Sequence, residues 1–479
     1  MRKHPIIVML IIVLCASSVW AQDYDDDALL AEAGDRMRQA TAFFRERVAV
    51  KGGYLWRYSA DLARREGEGK ATETMAWVQP PGTPAVGMAF LEAYEKTGER
   101  YYLEAAVETA QALVKGQLQS GGWDYRIEFD PKKRQGYAYR SDGRTEGHNV
   151  TTLDDDTTQA ALRCLIRVDR ALAFQDAAIH EAALYGLESL LKAQYPNGAW
   201  PQRYSEFPDP DNYPVKKADY PESWSRSYEK HDYTQYYTLN DNTLADTIAL
   251  MFLAGEIYPD DRYRASAIKG GDFILLAQMP DPQPAWAQQY DVGMHPAWAR
   301  KFEPPAITGG ESQGVLRLLL DLHERTGDRR YLDSLGRALE YLKASRLPDG
   351  NLARFYELKT NTPLYCTKAY ELTYSDADMP THYSFVSQFD PDAIERDYRK
   401  ACDEAPEPPP DNKSAPSVTS SSAERIQAVI DALDTRGAWV ELGKLRYHGE
   451  EDPTEEVVDT ATFIRHMDLL ARFIAEVKK

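Results

Sequence analysis

Along most of this 479-residue chain apolar residues return at every third or fourth position, the period of an α-helix, and strand-like alternation is scarce. In residues 100–123, RYYLEAAVETAQALVKGQLQSGGW, the side chains of Leu103, Ala106, Ala110 and Leu113 fall on one face and leave the other polar. Residues 177–200 and 262–286 repeat the plan, a helical run rich in Ala and Leu closed by a turn that carries Trp. A weaker copy fills 328–355 and ends in PDGNLARF. Further amphipathic helices lie between the copies, at 157–171, 242–257 and 311–323. Helices that come in pairs at a long, irregular interval predict an all-α fold, an α/α barrel or toroid of helical hairpins with long loops at one mouth.

The repeated turns fall at equivalent ends of successive hairpins and carry Trp123, Trp200 and Trp286. In a toroid those ends gather around one cleft, where a Trp either stacks on a ligand or seals the end of a helix. Residues 1–21, with Arg2 and Lys3 before an apolar run and a small-residue pattern at Ala21, read as an export signal. Residues 22–402 hold the barrel, and 403–422 (DEAPEPPPDNKSAPSVTSSS) form a Pro and Ser linker. Residues 423–479 carry two helical patterns around RGAWVELGKLRYHG and read as a small helical C-terminal appendage, or as a packed extension of the barrel. After the signal no stretch is long and apolar enough to span a bilayer, so a secreted or periplasmic monomer is expected.

The formal charge of −19 excludes a nucleic-acid partner, which needs a basic face. It also opposes an acidic polymer, unless a divalent cation held by protein carboxylates bridges to the polymer's own. Cys164, Cys366 and Cys402 are too few and too scattered for a disulfide framework, which leaves open one bridge such as Cys366 to Cys402.

Four segments could carry chemistry. LDDDTT, residues 153–158, sets three carboxylates before a helix, either a cation or substrate site or a solvated N-cap. YPNGAWPQRY at 195–204 is followed after a polar insert by YTLNDN, where Asn240 and Asp241 offer oxygen ligands or simple capping. Arg300 lies in an irregular, aromatic-rich stretch before ITGGESQGV, where a surface charge is the ordinary reading. Arg354, in NLARFYEL, is either paired with an acid such as Glu357 or presented to an anion. No zinc motif, phosphate loop or nucleophile elbow occurs, and His148, His231 and His295 are scattered.

Taken in order, these segments resemble the pectate lyases of polysaccharide lyase family 10. The resemblance runs from about Gln79 (QPPGTPAVGMAFLEAY) through SGGWDY, TTLDDDTTQAALRCL, QYPNGAWPQRY, WAQQYD, ARKFE and ITGGESQGVLRLL to LARFYELKTNTPLY. It implies an α/α barrel, Ca²⁺, and cleavage of polygalacturonate by anti β-elimination. It places the catalytic base on Arg300, the calcium region on Asp154, Asn240 and Asp241, and a substrate carboxylate on Arg354. Gln202, Trp123, Trp200 and Trp286 would line the cleft beside that substrate. The chain departs from the family at Asp155 and Asp156, which add two carboxylates, at Tyr290, which replaces a His, and in the long insert within 204–236. The rival readings are a glycoside hydrolase or another uronate lyase on the same scaffold, and a non-catalytic surface protein that captures pectin fragments.

Overall fold

The computed structural model describes residues 26–403 and 420–478, so the expected export signal and most of the expected linker lie outside it. Twelve α-helices run through the described residues: α1 Asp26–Phe43, α2 Thr83–Thr97, α3 Arg100–Gly116, α4 Thr157–Ala171, α5 Ala177–Ala193 and α6 Thr243–Ile257, then α7 Asp261–Ala277, α8 Gly309–Thr326, α9 Arg330–Ala344, α10 Pro391–Asp403, α11 Ser420–Asp431 and α12 Thr460–Val477. They pair as α2 with α3, α4 with α5, α6 with α7 and α8 with α9. The second members, α3, α5, α7 and α9, touch in succession, while α12, α2, α4 and α6 touch in a second succession. The result is an α/α toroid of two concentric layers, as the paired helical periods predict.

Burial follows the sequence pattern. On α3 the stripe Leu103, Ala106, Ala110 and Leu113 is buried, whereas inner helix α4 buries Ala161, Leu162, Cys164, Leu165, Ile166 and Val168 and leaves the stripe of Arg163, Arg167 and Arg170 in reach of solvent. Helices buried on two faces must approach closely, and Gly87 on α2 allows it. A Cβ there would stand 2.8 Å from Cys164 Sγ of α4. Outer helices α5 and α7 begin at Asp176 and Asp260, whose carboxylates accept from the first free backbone N–H groups.

Short antiparallel ladders tie each pair at one end. The strand before an inner helix pairs with the strand after its outer partner: Thr151–Thr152 with Arg203–Tyr204, Tyr237–Thr238 with Gln289–Tyr290, and Ala306–Thr308 with Phe355–Glu357. Between outer helix and strand sits the repeated turn, and there the tryptophans are fully buried. The indole N–H of Trp123 donates to the Leu113 carbonyl, that of Trp200 to Leu190 and that of Trp286 to Ile274, each near 2.9 Å. Trp123, Trp200 and Trp286 thus satisfy the open carbonyls at helix ends and cannot stack on a sugar, which corrects the cleft role expected for them. Trp439 makes the same bond to Val429 beyond α11.

The tail belongs to the ring. Strand Glu456–Asp459 precedes α12 and pairs with Arg57–Ser59, which follows α1, so α12 and α1 form one more hairpin of the same order. Helix α12 also packs against α2, and its Phe463 stacks on Phe44 with ring centroids 3.6 Å apart. Of the two readings of residues 423–479, the geometry is that of the packed extension. Helix α10 leans on α8 and α9, and α11 on α1 and α12. Cys164, Cys366 and Cys402 are all free thiols, so the bridge left open between Cys366 and Cys402 is not formed. Among the described residues no helix is long and apolar enough to cross a membrane.

Candidate active site

Inner helices α4 and α6 are entered through matching turns, Asp154–Asp156 and Asn240–Asn242, each inside a Leu-Asx-Asp-Asx-Thr sequence. In both, two successive residues adopt the left-handed conformation: Asp155 and Asp156 at φ 51° and 55°, Asp241 and Asn242 at φ 49° and 56°. Asp and Asn are the L-residues that tolerate this region best, which explains the composition of the turns. The two turns touch, and oxygens of Asp154, Asp155 and Asp241 come within 4.8 Å of one another. Asp155 is the carboxylate that sequence reasoning passed over, because three identical residues in a row do not reveal which of them a turn will aim inward.

The surroundings fix Asp154 and leave the other two frustrated. Tyr125 Oη donates to Asp154 Oδ2 at 2.8 Å and Gln202 Nε2 to Oδ1 at 2.9 Å, while Arg203 Nη2 stands farther off at 3.5 Å. Gln202 thus gives an N–H to Asp154, while its buried Oε1 has no hydrogen-bond partner. Burial, with the charges of Asp154 and Asp241, pushes the Asp155 carboxyl up to about 7. Burial and Asp154 push Asp241 up to about 6. Asn240 donates its amide to Asp241, while its buried Oδ1 has no hydrogen-bond partner. A half-buried set of oxygen donors that repel one another, with an orphaned carbonyl oxygen beside them, fits a hard cation such as Ca²⁺.

Two guanidinium groups face this set. Arg300 is clamped by Glu303, which is 1% exposed: Nε donates at 2.8 Å, Nη2 at 2.5 Å and the Arg300 backbone N–H at 3.0 Å. Burial works against the Arg300 charge, but Glu303 outweighs it and holds the guanidinium above its ordinary range. Burial would likewise raise Glu303, yet Arg300 keeps that carboxyl low. Arg354 Nη2 donates to Glu311 Oε1 at 2.5 Å, while its buried Nε has no hydrogen-bond partner. Its acid partner is thus Glu311 and not Glu357, which pairs with Arg226 of the insert instead. Arg300, Arg354, Asp154 and Glu311 all act electrostatically on Asp241, so the acidic and cationic residues share one mouth.

A regularity of the repeat locates further lining residues. Two positions beyond Trp123, Trp200, Trp286 and, at the matching place in the fourth turn, Leu352 lie Tyr125, Gln202, Gln288 and Arg354. The carbonyls of all four accept the N–H of the residue leading into an inner helix or its entry turn: Val78, Leu153, Leu239 and Gly309, at 2.7, 2.8, 2.8 and 2.9 Å. Aligning the turns on their Trp and counting two onward would have found Tyr125 and Gln288. No such count leads to Tyr233, from the insert, or to Tyr383. The Tyr233 phenol feels Arg300, Glu303 and Asp154 together, and Tyr383 bonds to Glu303.

The fold and site together define an α/α toroid whose mouth sets a carboxylate cluster against paired arginines. The sequence model of the pectic acid lyase family matches residues 128–326, a span that holds the three aspartates, Arg300 and Glu311, and ends short of Arg354. That span contains most of the motifs quoted above, so the family model and the motifs carry one and the same resemblance to pectate lyases. Among solved structures, a family 10 polysaccharide lyase from Cellvibrio cellulosa is 20% identical at TM-score 0.46, over 67% of this chain and 97% of its own. A cellobiose 2-epimerase from Bacillus thermoamylovorans is 12% identical at TM-score 0.46, over 94% and 99%. No curated relative matches the chain.

Proposed function

We propose that this chain is an exported polysaccharide lyase that cleaves polygalacturonate by calcium-assisted anti β-elimination. The observation that carries the proposal is the single mouth in which Asp154, Asp155 and Asp241 face Arg300 and Arg354. An anionic uronate needs positive charge around its carboxylate, and a proton α to that carboxylate needs a base nearby. Asp154, Asp155 and Asp241, with the Asn240 carbonyl, would hold Ca²⁺. When bound there, the ion supplies positive charge that the substrate carboxylate can share.

The protein's own groups account for the rest. Arg354, already steadied by Glu311, offers its remaining N–H groups to the C6 carboxylate. Arg300 in its neutral form takes the C5 proton, the C5–H electrons form the C4=C5 double bond, and the C4–O4 bond breaks toward the leaving chain. That leaving oxygen is protonated by water. Glu303 fixes the plane of Arg300 but favours its charged form; burial, and a cation held by the aspartates, would work the other way, and because rising pH favours the neutral base an alkaline optimum is expected. The test is ultraviolet absorbance of unsaturated product from polygalacturonate, present with calcium and lost in EDTA. New reducing ends without that absorbance would mean hydrolysis, and tight binding with neither would mean a capture protein.

A further inference from the structure

Tyr383 reaches the mouth from a segment that lies beyond the span matched by the family. Its backbone is tied to the strand of Arg354: Val386–Ser387 pairs antiparallel with Leu352–Ala353, and the Arg354 N–H donates to the Phe385 carbonyl at 2.8 Å. From that anchor the side chain extends back toward the other arginine. Its hydroxyl donates to Glu303 Oε1 at 2.9 Å, the same oxygen that receives Arg300 Nη2, with Gln288 Oε1 at 3.3 Å. Its ring centroid lies 4.3 Å from Arg354 Cζ and 5.6 Å from Arg300 Cζ, and Phe302 packs on it at 4.7 Å.

Two guanidinium groups drawn to one half-buried place repel each other, and each needs its own restraint. An aromatic face attracts a cation, and a phenol that donates to a carboxylate stops it from turning. Tyr383 offers both from one side chain, and it contacts both arginines. We propose that Tyr383 is a positioning residue that couples Arg300 to Arg354: its hydroxyl locks Glu303 and hence the plane of Arg300, and its ring seats Arg354. The inference rests on reading Arg300 as the base and Arg354 as the group that holds the substrate carboxylate.

The two halves of the coupling separate by substitution. Tyr383→Phe keeps the ring and loses the hydroxyl, so kcat falls about tenfold, equivalent to about 1.4 kcal/mol of barrier, while KM stays within about twofold. Tyr383→Leu loses both, so kcat falls at least as far and KM rises about fivefold or more, the cost of a misplaced Arg354. Melting curves accompany both variants, and if the Leu variant does not fold, the Phe variant decides alone. A Phe variant with wild-type kcat, or one whose kcat and KM change together, overturns the proposal. Arg300→Lys is the control. Retained turnover in that variant removes the base assignment itself, whereas an inactive Arg300→Lys beside an unaffected Tyr383→Phe removes the coupling alone.

Discussion

Replacing Asp155 by Asn should stabilise the calcium-free protein and weaken its response to calcium. Asn tolerates the φ of 51° at this position, so the exchange removes charge without adding backbone strain. The Asp155 carboxyl is raised from 3.8 to about 7, which at about 1.36 kcal/mol per tenfold change in acidity corresponds to an upper bound of about 4 kcal/mol. Water reaches part of this group, and screening reduces the expected effect to about 1–2 kcal/mol. An acid whose folded pKa is raised favours folding fully below its unfolded pKa, and that advantage disappears as pH climbs through 7. The wild type in EDTA therefore carries the penalty at pH 8 and not at pH 4. At about 2.1 cal/mol/K per residue, the variant should melt roughly 1–2 °C higher than wild type at pH 8, with the gap closing toward pH 4. Calcium at about a hundred times its dissociation constant adds about 2.7 kcal/mol, or roughly 3 °C, to the wild type and much less to the variant. Differential scanning calorimetry at both pH values, with EDTA and with calcium, reads all of this. A variant that melts lower in EDTA at pH 8, or that keeps the full calcium shift, would refute the reasoning.

Two further outcomes concern the scaffold. Trp200→Phe removes the N–H bonded to the Leu190 carbonyl and should lower stability by about 1 kcal/mol, with KM on oligogalacturonates unchanged; a tenfold rise in KM would restore a sugar-stacking role. Phe463→Ala empties a site 1% exposed between Phe44 and Phe90 and should cost about 3–5 kcal/mol by denaturant titration, whereas a near-neutral result would detach α12 from the ring.

Much of this architecture is written in local periodicity. The stripe on α3 and the recurrence of Trp turns give the hairpins and their order, because amphipathic spacing and helix-end chemistry act over a few residues. What escapes is what depends on distant partners. Arg354 could not be matched to Glu311 from sequence, since the pairing follows from the register of Phe355 opposite Thr308. That register sets Arg354 beside Gly309, within a turn of Glu311. The tryptophans drew notice for their size, yet it is the smaller side chains two positions on, Tyr125, Gln202 and Gln288, that face the mouth. Tyr383 follows Arg354 after an irregular stretch with no periodic signal to place it. The tail displayed its helices but not their neighbours, because the complementary face of α1 lies some four hundred positions away.

That separation bears on how the molecule is made. Arg57 grips Asp459 through two hydrogen bonds across 402 positions, and α1 has no hairpin partner until α12 exists. Until α12 is made, the flank of α2 that it covers stays exposed, a hazard of the kind that chaperones meet. Ring closure is consequently the slow, non-local event. A molecule without α12 would leave α1 and one flank of α2 uncovered, so a single helix decides whether the ring is closed or open.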